Sequence, residues 1–352
     1  EEVITTTVGS FPKPDYVPVS GWWHAGGKSR SDPTRSYSEL PAAPPPDAEE
    51  RFDRATREAV RDQVAAGIDV PTDGEMRREH YIYYHLRHLS GFSFDNLTFK
   101  EMRSGSWQAR VPTIEGPIEA GAPFLADDWR CAQAVTDRPV KITVPGPMTI
   151  ADSTADAHYG DERQLGAALA EALNAEIRAL ADAGCTWIQV DEPVFARRPD
   201  QALAFGIDHL SRCFHGVRAG VTRVVHVCCG FPAALDKPDY PKADSEAYLT
   251  LAHALDAAEI DALSLEDAHR HNDLRLLEQF SATTIVLGLV DVARSRVEPV
   301  EEIADRVRAA LDHIDAKRLV AAPDCGLILL DRATALAKLR NLVAAAKIVG
   351  PP

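Results

Sequence analysis

The sequence predicts an α/β fold, a (β/α)8 TIM barrel in one domain, and three observations carry that prediction. Eight short, β-branched apolar runs recur along the 352 residues. Between them lie alanine-rich stretches with apolar residues at three- and four-residue spacing, the pattern of amphipathic helices. Odd polar residues collect where the apolar runs end, and in a closed parallel barrel those carboxyl ends form the face that binds ligands.

The runs are VITTTVG at 3–9, GIDVPTD at 67–73, VKITVPG at 140–146, TWIQVDE at 186–192, RVVHVCC at 223–229, DALSLED at 261–267, TTIVLGLVD at 283–291 and RLVAAPD at 318–324. Each is short and apolar, as a parallel strand covered on both faces must be. Helical periodicity is clearest over 161–184, 297–315 and 331–350. Strand and helix alternating eight times favours a closed barrel over an open doubly wound sheet. Neither GxGxxG nor GxxxxGK(S/T) follows any run, so the usual phosphate-cradling signatures are missing. Residues 14–48, rich in proline, glycine and serine, read as a long irregular loop inserted after the first strand, over the active-site face. Trp22, Trp23 and His24 in that loop are candidates for a lid or a substrate wall, while burial as simple anchors explains the tryptophans equally well.

Composition narrows the function classes. With 38 basic against 53 acidic residues, the net charge of -15 argues against nucleic acid or an anionic membrane surface as partner. No apolar stretch approaches the roughly 20 residues that span a bilayer, and the start EEVITTTVGSF lacks a signal-peptide pattern. Six cysteines lie scattered at 131, 185, 213, 228, 229 and 325, which suits a reducing cytoplasm better than a disulfide framework.

Along a strand, alternate side chains share a face, so His226 and Cys228 point one way and Val227 and Cys229 the other. An imidazole and a thiolate side by side are donors that zinc accepts. Alone, the pair more often marks a core histidine beside small buried cysteines. Position changes the balance. Ser10, Asp73, Glu75, Asp191, Glu192, His226, Cys228, Glu266, Asp291 and Cys325 all fall at or just past the carboxyl ends of the predicted strands.

The segments TTTVGSFPKP, PTDGEMRREHY, TDRPVKITVPGPMTI, IQVDEP, HVCC, LSLEDAHRHNDLRLLEQF, VDVARSRVEPVEEI and APDCGL, in this order, resemble the catalytic C-terminal half of the cobalamin-independent methionine synthases, in their short single-barrel form. The likeness runs through nearly the whole chain except about 14–48. It implies a zinc (β/α)8 barrel that methylates the thiol of homocysteine, with His226, Cys228, Glu266 and Cys325 as metal ligands. It also implies that Gly9, Ser10, Glu75 and Asp191 hold the amino-acid part of the thiol, the carboxylates facing its ammonium. A buried carboxylate pair needs compensation, and an incoming ammonium supplies it. Zinc coordination deprotonates a thiol, and two thiolates with one carboxylate keep the site anionic, which suits alkyl transfer to sulfur rather than hydrolysis. Between Cys228 and Glu266 the chain carries an extra DKPDYPKADSEAYLTL, which makes Glu266 the least secure of the four ligands and Asp267 its nearby substitute.

The donor half departs from the resemblance. Where the long enzymes have DIHSP, with a histidine proposed to protonate the leaving folate nitrogen, this chain has Asp291, Val292, Ala293, Arg294 and Ser295. Ser153 stands where they stack a tryptophan on the pterin, and their GSRC element reads Gly105, Ser106, Trp107 and Gln108. A methylfolate or a simpler methyl donor therefore both stay open. So do a thiol transferase of the epoxyalkane:coenzyme M type, with Arg77, Arg78, Arg294 or Arg296 on the sulfonate, and a metal-free decarboxylase-like or non-catalytic binding barrel.

Overall fold

A computed structural model describes residues 2–19, 44–102 and 107–349, without the side chain of Trp107. Trp22, Trp23, His24, Gly105 and Ser106 lie outside the described residues.

The strands in chain order are β1 (Ile4–Thr5), β2 (Phe92–Met102), β3 (Trp107–Ile114), β4 (Lys141–Pro145), β5 (Ala155–Asp156), β6 (Trp187–Asp191), β7 (Thr222–Val227), β8 (Ala262–Leu265), β9 (Thr284–Val290) and β10 (Leu319–Pro323). Seven of them form one curled parallel sheet in the order β1-β10-β9-β8-β7-β6-β4. The predicted second strand closes the ring as bridges rather than as a continuous ladder. Thr6 pairs with Val70 and Ser10 with Gly74 on the β1 side, and Thr72 pairs with Lys141 on the β4 side, all parallel. The fold is thus the expected α/β barrel, closed through eight parallel segments.

Strand parity explains where the chemistry sits. Val224 and His226 share one face of β7, Ala262 and Ser264 one face of β8, and Val320 and Ala322 one face of β10. Val224, Ala262, Val286, Val320 and Ala322 pack together as an apolar cluster with Trp187 against them. On the same inward parity, the next residues toward the carboxyl ends are polar. The barrel interior is therefore a dry plug beneath a polar rim. The opposite faces, such as Ile142, Val225, Leu263 and Ile285, pack in the main core that the helices cover.

The helices follow their sequence signals. Glu162–Ala183 starts at Asp161, whose carboxylate accepts from the Arg163 amide at 2.7 Å, and ends at Gly184 with φ +121°. Ala48–Ala66 begins where the predicted loop ends, and Gly67 closes it with φ +101°. Val300–Leu311 and Arg332–Val349 occupy the other predicted helical stretches. No helix among the described residues is long and apolar enough to cross a membrane.

One element has no counterpart in the sequence reading. β2 and β3 form an antiparallel hairpin, extended by β5, between the second barrel segment and β4. Its register shifts between Ser93 and Leu97, a bulge that breaks the period-two signal of Phe92, Phe94, Leu97 and Phe99. Lys100 ties the hairpin to the barrel by donating to the carbonyls of Ala151, Asp152 and Thr154 at 2.8–3.2 Å.

Candidate metal centre and thiol pocket

His226 lies on β7 and Cys228 just past its end, while Cys325 follows β10. Ser264 on β8 bonds His226 Nδ1 at 2.8 Å, which fixes the ring and leaves Nε2 for the rim. Nε2 lies 3.5 Å from Cys325 Sγ, and one donor atom from each of His226, Cys228 and Cys325 lies within 4.8 Å of the others. Two soft sulfurs and an imidazole are a donor set suited to zinc, so the residues fit the metal the sequence predicts. Hydrogen bonding from Cys325 holds the Cys228 thiol well below its ordinary range, helped by His226 and Lys242, and keeps the proton on Cys325.

Glu266 stands outside that group of three. Its backbone amide donates to Tyr248 Oη at 3.0 Å, and Tyr248 in turn donates to the Val227 carbonyl at 2.7 Å, so its position is locked to β7. Its carboxylate takes the Lys242 ammonium at 2.5 Å, with both side chains buried. Asp267, the nearby substitute the sequence offers, accepts from Arg306 on both its oxygens at 2.6 and 2.9 Å.

Lys242 comes from the inserted stretch noted in the sequence, which folds over the rim. Its neighbour Ala243 donates to the Cys229 carbonyl at 2.7 Å and accepts from Arg270 at 2.8 Å. Ser295 holds Asp236 at 2.6 Å, and Arg294 binds the carbonyls of Lys237 and Pro238. The Tyr240 ring lies 4.7 Å from that of His269, whose Nδ1 meets Asp291 at 3.0 Å. An imidazole fixed by a carboxylate in this way can carry a proton on its other nitrogen.

Across the rim lie the residues expected to hold an amino acid. Asp191 pairs in register with His226, and Gln189 donates to its Oδ1 at 2.8 Å. Burial pushes the Asp191 carboxyl up to about 7, with Glu75 adding to the rise and His226 opposing it. Glu75 accepts from Thr143 Oγ1 at 2.7 Å and lies 3.4 Å from the buried Arg78 guanidinium. Its φ of +57° is left-handed, a conformation that costs a non-glycine residue about 1 kcal/mol or more and clusters at functional sites. A Cβ on Gly9 would stand 2.5 Å from Glu75 Oε1, and one on Gly326 would stand 2.1 Å from Ser10 Oγ. Gly9 and Gly326 thus let both polar groups close in. Gly9→Ala is expected to displace the Glu75 carboxylate and destabilise the fold by about 1–3 kcal/mol, read by thermal unfolding.

The rim is a ring running from Ser10 through Glu75, Asp191, His226 and Cys325 to Gly326, which meets Ser10 again. The sequence matches the family described as "Cobalamin-independent synthase, Catalytic domain" over residues 3–348. The chain belongs to the cobalamin-independent methionine synthase family. It is 32% identical over 348 residues to a methionine synthase of Sulfolobus acidocaldarius, covering 98% of this chain and 91% of that one. A B12-independent methionine synthase from a Shewanella species, solved in complex with selenomethionine, superposes with TM-score 0.85 at 30% identity, over 99% of this chain and 98% of that one. A Listeria monocytogenes structure described as a putative member is similar in fold, with TM-score 0.72 at 20% identity over the full length of both chains.

Within this methionine synthase scaffold, sequence reasoning missed Lys242, Ser264, Thr143 and Lys141, and it offered Arg78 to a sulfonate where the structure sets it against Thr143 and Glu75. For Thr143 and Lys141 the signal was present, since both take the inward parity of β4 in an otherwise apolar run. Lys141 is wholly buried, and desolvation lowers its ammonium to about 7 against the opposing pull of Asp191 and Glu75. The carboxylate pair expected to await an ammonium is therefore partly compensated already, by Arg78 and Lys141.

Proposed function

We propose that the chain is a zinc-dependent S-methyltransferase that makes a methyl thioether from homocysteine or a closely similar amino-acid thiol. The observation that carries this reading is the group His226, Cys228 and Cys325, with donor atoms within 4.8 Å of one another, on the rim that also bears Asp191. Bound by these residues, zinc supplies Lewis acidity that turns a thiol into a thiolate at neutral pH. The protein's own groups do the rest. Ser264 orients His226, Asp191 and Glu75 offer carboxylates to the ammonium, and Ser10 offers its hydroxyl to the carboxylate of the substrate. In the transfer, sulfur forms a bond to the methyl carbon, the bond from carbon to the donor breaks, and the donor leaves with the electron pair. A methylfolate suits this chemistry, since its nitrogen leaves as a neutral amine once protonated.

The coenzyme M alternative loses ground on the arginines it requires. Arg294 serves the backbone of the inserted stretch, and Arg296 forms a pair with Glu302 at 2.6 Å. Arg77 is taken by Glu49, Asp53 and Asp128, and Arg78 by Thr143 and Glu75. A homocysteine ammonium, by contrast, finds carboxylates. Metal analysis of the purified chain is expected to find about one zinc per chain. Homocysteine should change the visible spectrum of the cobalt-substituted protein, and mass spectrometry should find the methylated product with a methyl donor supplied. Below about 0.2 zinc per chain, with occupancy that added metal does not restore, the reading is wrong.

A further inference from the structure

We propose that Tyr248 is a positioning residue for the metal centre: its hydroxyl fastens the Glu266 turn to the strand end that carries His226 and Cys228, and so holds the Glu266 carboxylate ready for the ion. The proposal rests on the metal reading given above.

The stretch whose extra length makes Glu266 the least secure of the expected ligands also supplies the group that holds it. Tyr248 is the second residue of the helix Ala247–Asp256 and is buried. Leu251, Ala252 and Leu255, three, four and seven positions on, are buried on the same helix face, so packing fixes the direction in which the phenol points. A tyrosine hydroxyl gives one hydrogen bond and can take others. Here it donates to the Val227 carbonyl at 2.7 Å and accepts from the Glu266 amide at 3.0 Å. Val227 lies between His226 and Cys228, and the register of β7 with β8 runs only as far as Val227 and Leu265. The hydroxyl thus carries the connection between the two strands one step beyond their ladder, where the candidate ligands begin.

The far side of the same turn is held from β10. Asp324, which precedes Cys325, accepts from the amides of Asp267 and Ala268 at 2.9 Å each and from that of His269 at 2.8 Å. One flank of the turn is therefore fixed to the strand end of His226 and Cys228, and the other to that of Cys325. Lys242 donates to Oε2 of the Glu266 carboxylate, while Oε1 accepts no hydrogen bond among the described residues. A donor oxygen stays available on a backbone already fixed in place. Tyr248→Phe would delete a single oxygen, keep the ring in its packing, and leave the Val227 carbonyl and the Glu266 amide without the partner they share.

The test is a chelator competition for zinc on the full-length chain, run with the wild type, Tyr248→Phe, Glu266→Gln and the double variant. Tyr248→Phe is expected to bind zinc about 10-fold more weakly or worse, the scale on which groups that orient metal ligands act, and Glu266→Gln to lose at least as much. The double variant should stay within about 3-fold of Glu266→Gln alone, because a residue that acts through Glu266 then has nothing left to position. Cobalt-substituted Tyr248→Phe should show a visible spectrum displaced towards that of Glu266→Gln, a signature that a general loss of stability would not produce. A second measurement needs no variant and decides the matter even if Tyr248→Phe does not fold. In the metal-free wild type the Glu266 amide should already be protected from hydrogen exchange, since the hydroxyl holds it before the ion arrives. Unchanged zinc affinity in Tyr248→Phe, losses that simply multiply in the double variant, or a Glu266 amide protected only once zinc is bound would each overturn the proposal. A Glu266→Gln chain that binds zinc like the wild type overturns it too, while leaving His226, Cys228 and Cys325 as the metal's donors. A wild type that takes up no zinc overturns the metal reading, and this proposal with it.

Discussion

Cys228→Ser is expected to strip the metal and end methyl transfer while leaving the barrel folded. A serine hydroxyl does not ionise near neutral pH, so the variant loses the thiolate that Cys325 and His226 stabilise in the wild type. Only one cysteine then remains among three donors, and zinc affinity should fall by more than the roughly 10–100-fold that a change in the surrounding shell produces. The neighbouring residue supplies the control. Cys229 has the opposite strand parity, packs in the main core, and has its thiol pushed up to about 11 by burial. Cys229→Ser should therefore keep its zinc and pay only a packing cost. Zinc content and methylated product measured side by side for the two variants check the expectation. Equal zinc content in both would remove Cys228 from the centre.

The contrast between these adjacent cysteines shows what the sequence makes legible. Period-two alternation sorts His226 from Val227 without any structure, and the same rule marks Gln189 with Asp191 as inward. The eight runs were visible because a buried parallel strand cannot tolerate much besides apolar residues. The β2–β3 hairpin was not, since its bulge shifts the alternation halfway and its faces are only partly buried. Likewise, the sequence places Glu266 at a strand end but says nothing of Lys242, which lies 24 positions earlier. Pairing of that kind is set by how an inserted stretch folds back, and no local pattern encodes it. Ser264 was equally silent, because a serine inside an apolar strand reads as filler until His226 is seen against it.

On the opposite side of the rim, Asp191→Asn is expected to separate amino-acid thiols from other thiols. Removing one partner of a buried charge pair costs about 2–5 kcal/mol, so kcat/KM for homocysteine should fall by roughly 30-fold or more. A thiol without an ammonium gains nothing from Asp191 and should be nearly indifferent to the change. Zinc content should stay at the wild-type level, since Asp191 pairs with His226 only through the strand backbone and the field between them. The pH dependence follows from the same carboxyl. Burial raises Asp191 to about 7, so in the free protein it is protonated below that value and ionised above it. Only the ionised form attracts an ammonium. Wild-type affinity for homocysteine should therefore strengthen as pH rises through about 7, and Asp191→Asn should flatten that rise. A profile in which wild type and variant keep the same slope would assign the ammonium to another group, with Glu75 the first to examine because it meets the same pocket from β1's other neighbour.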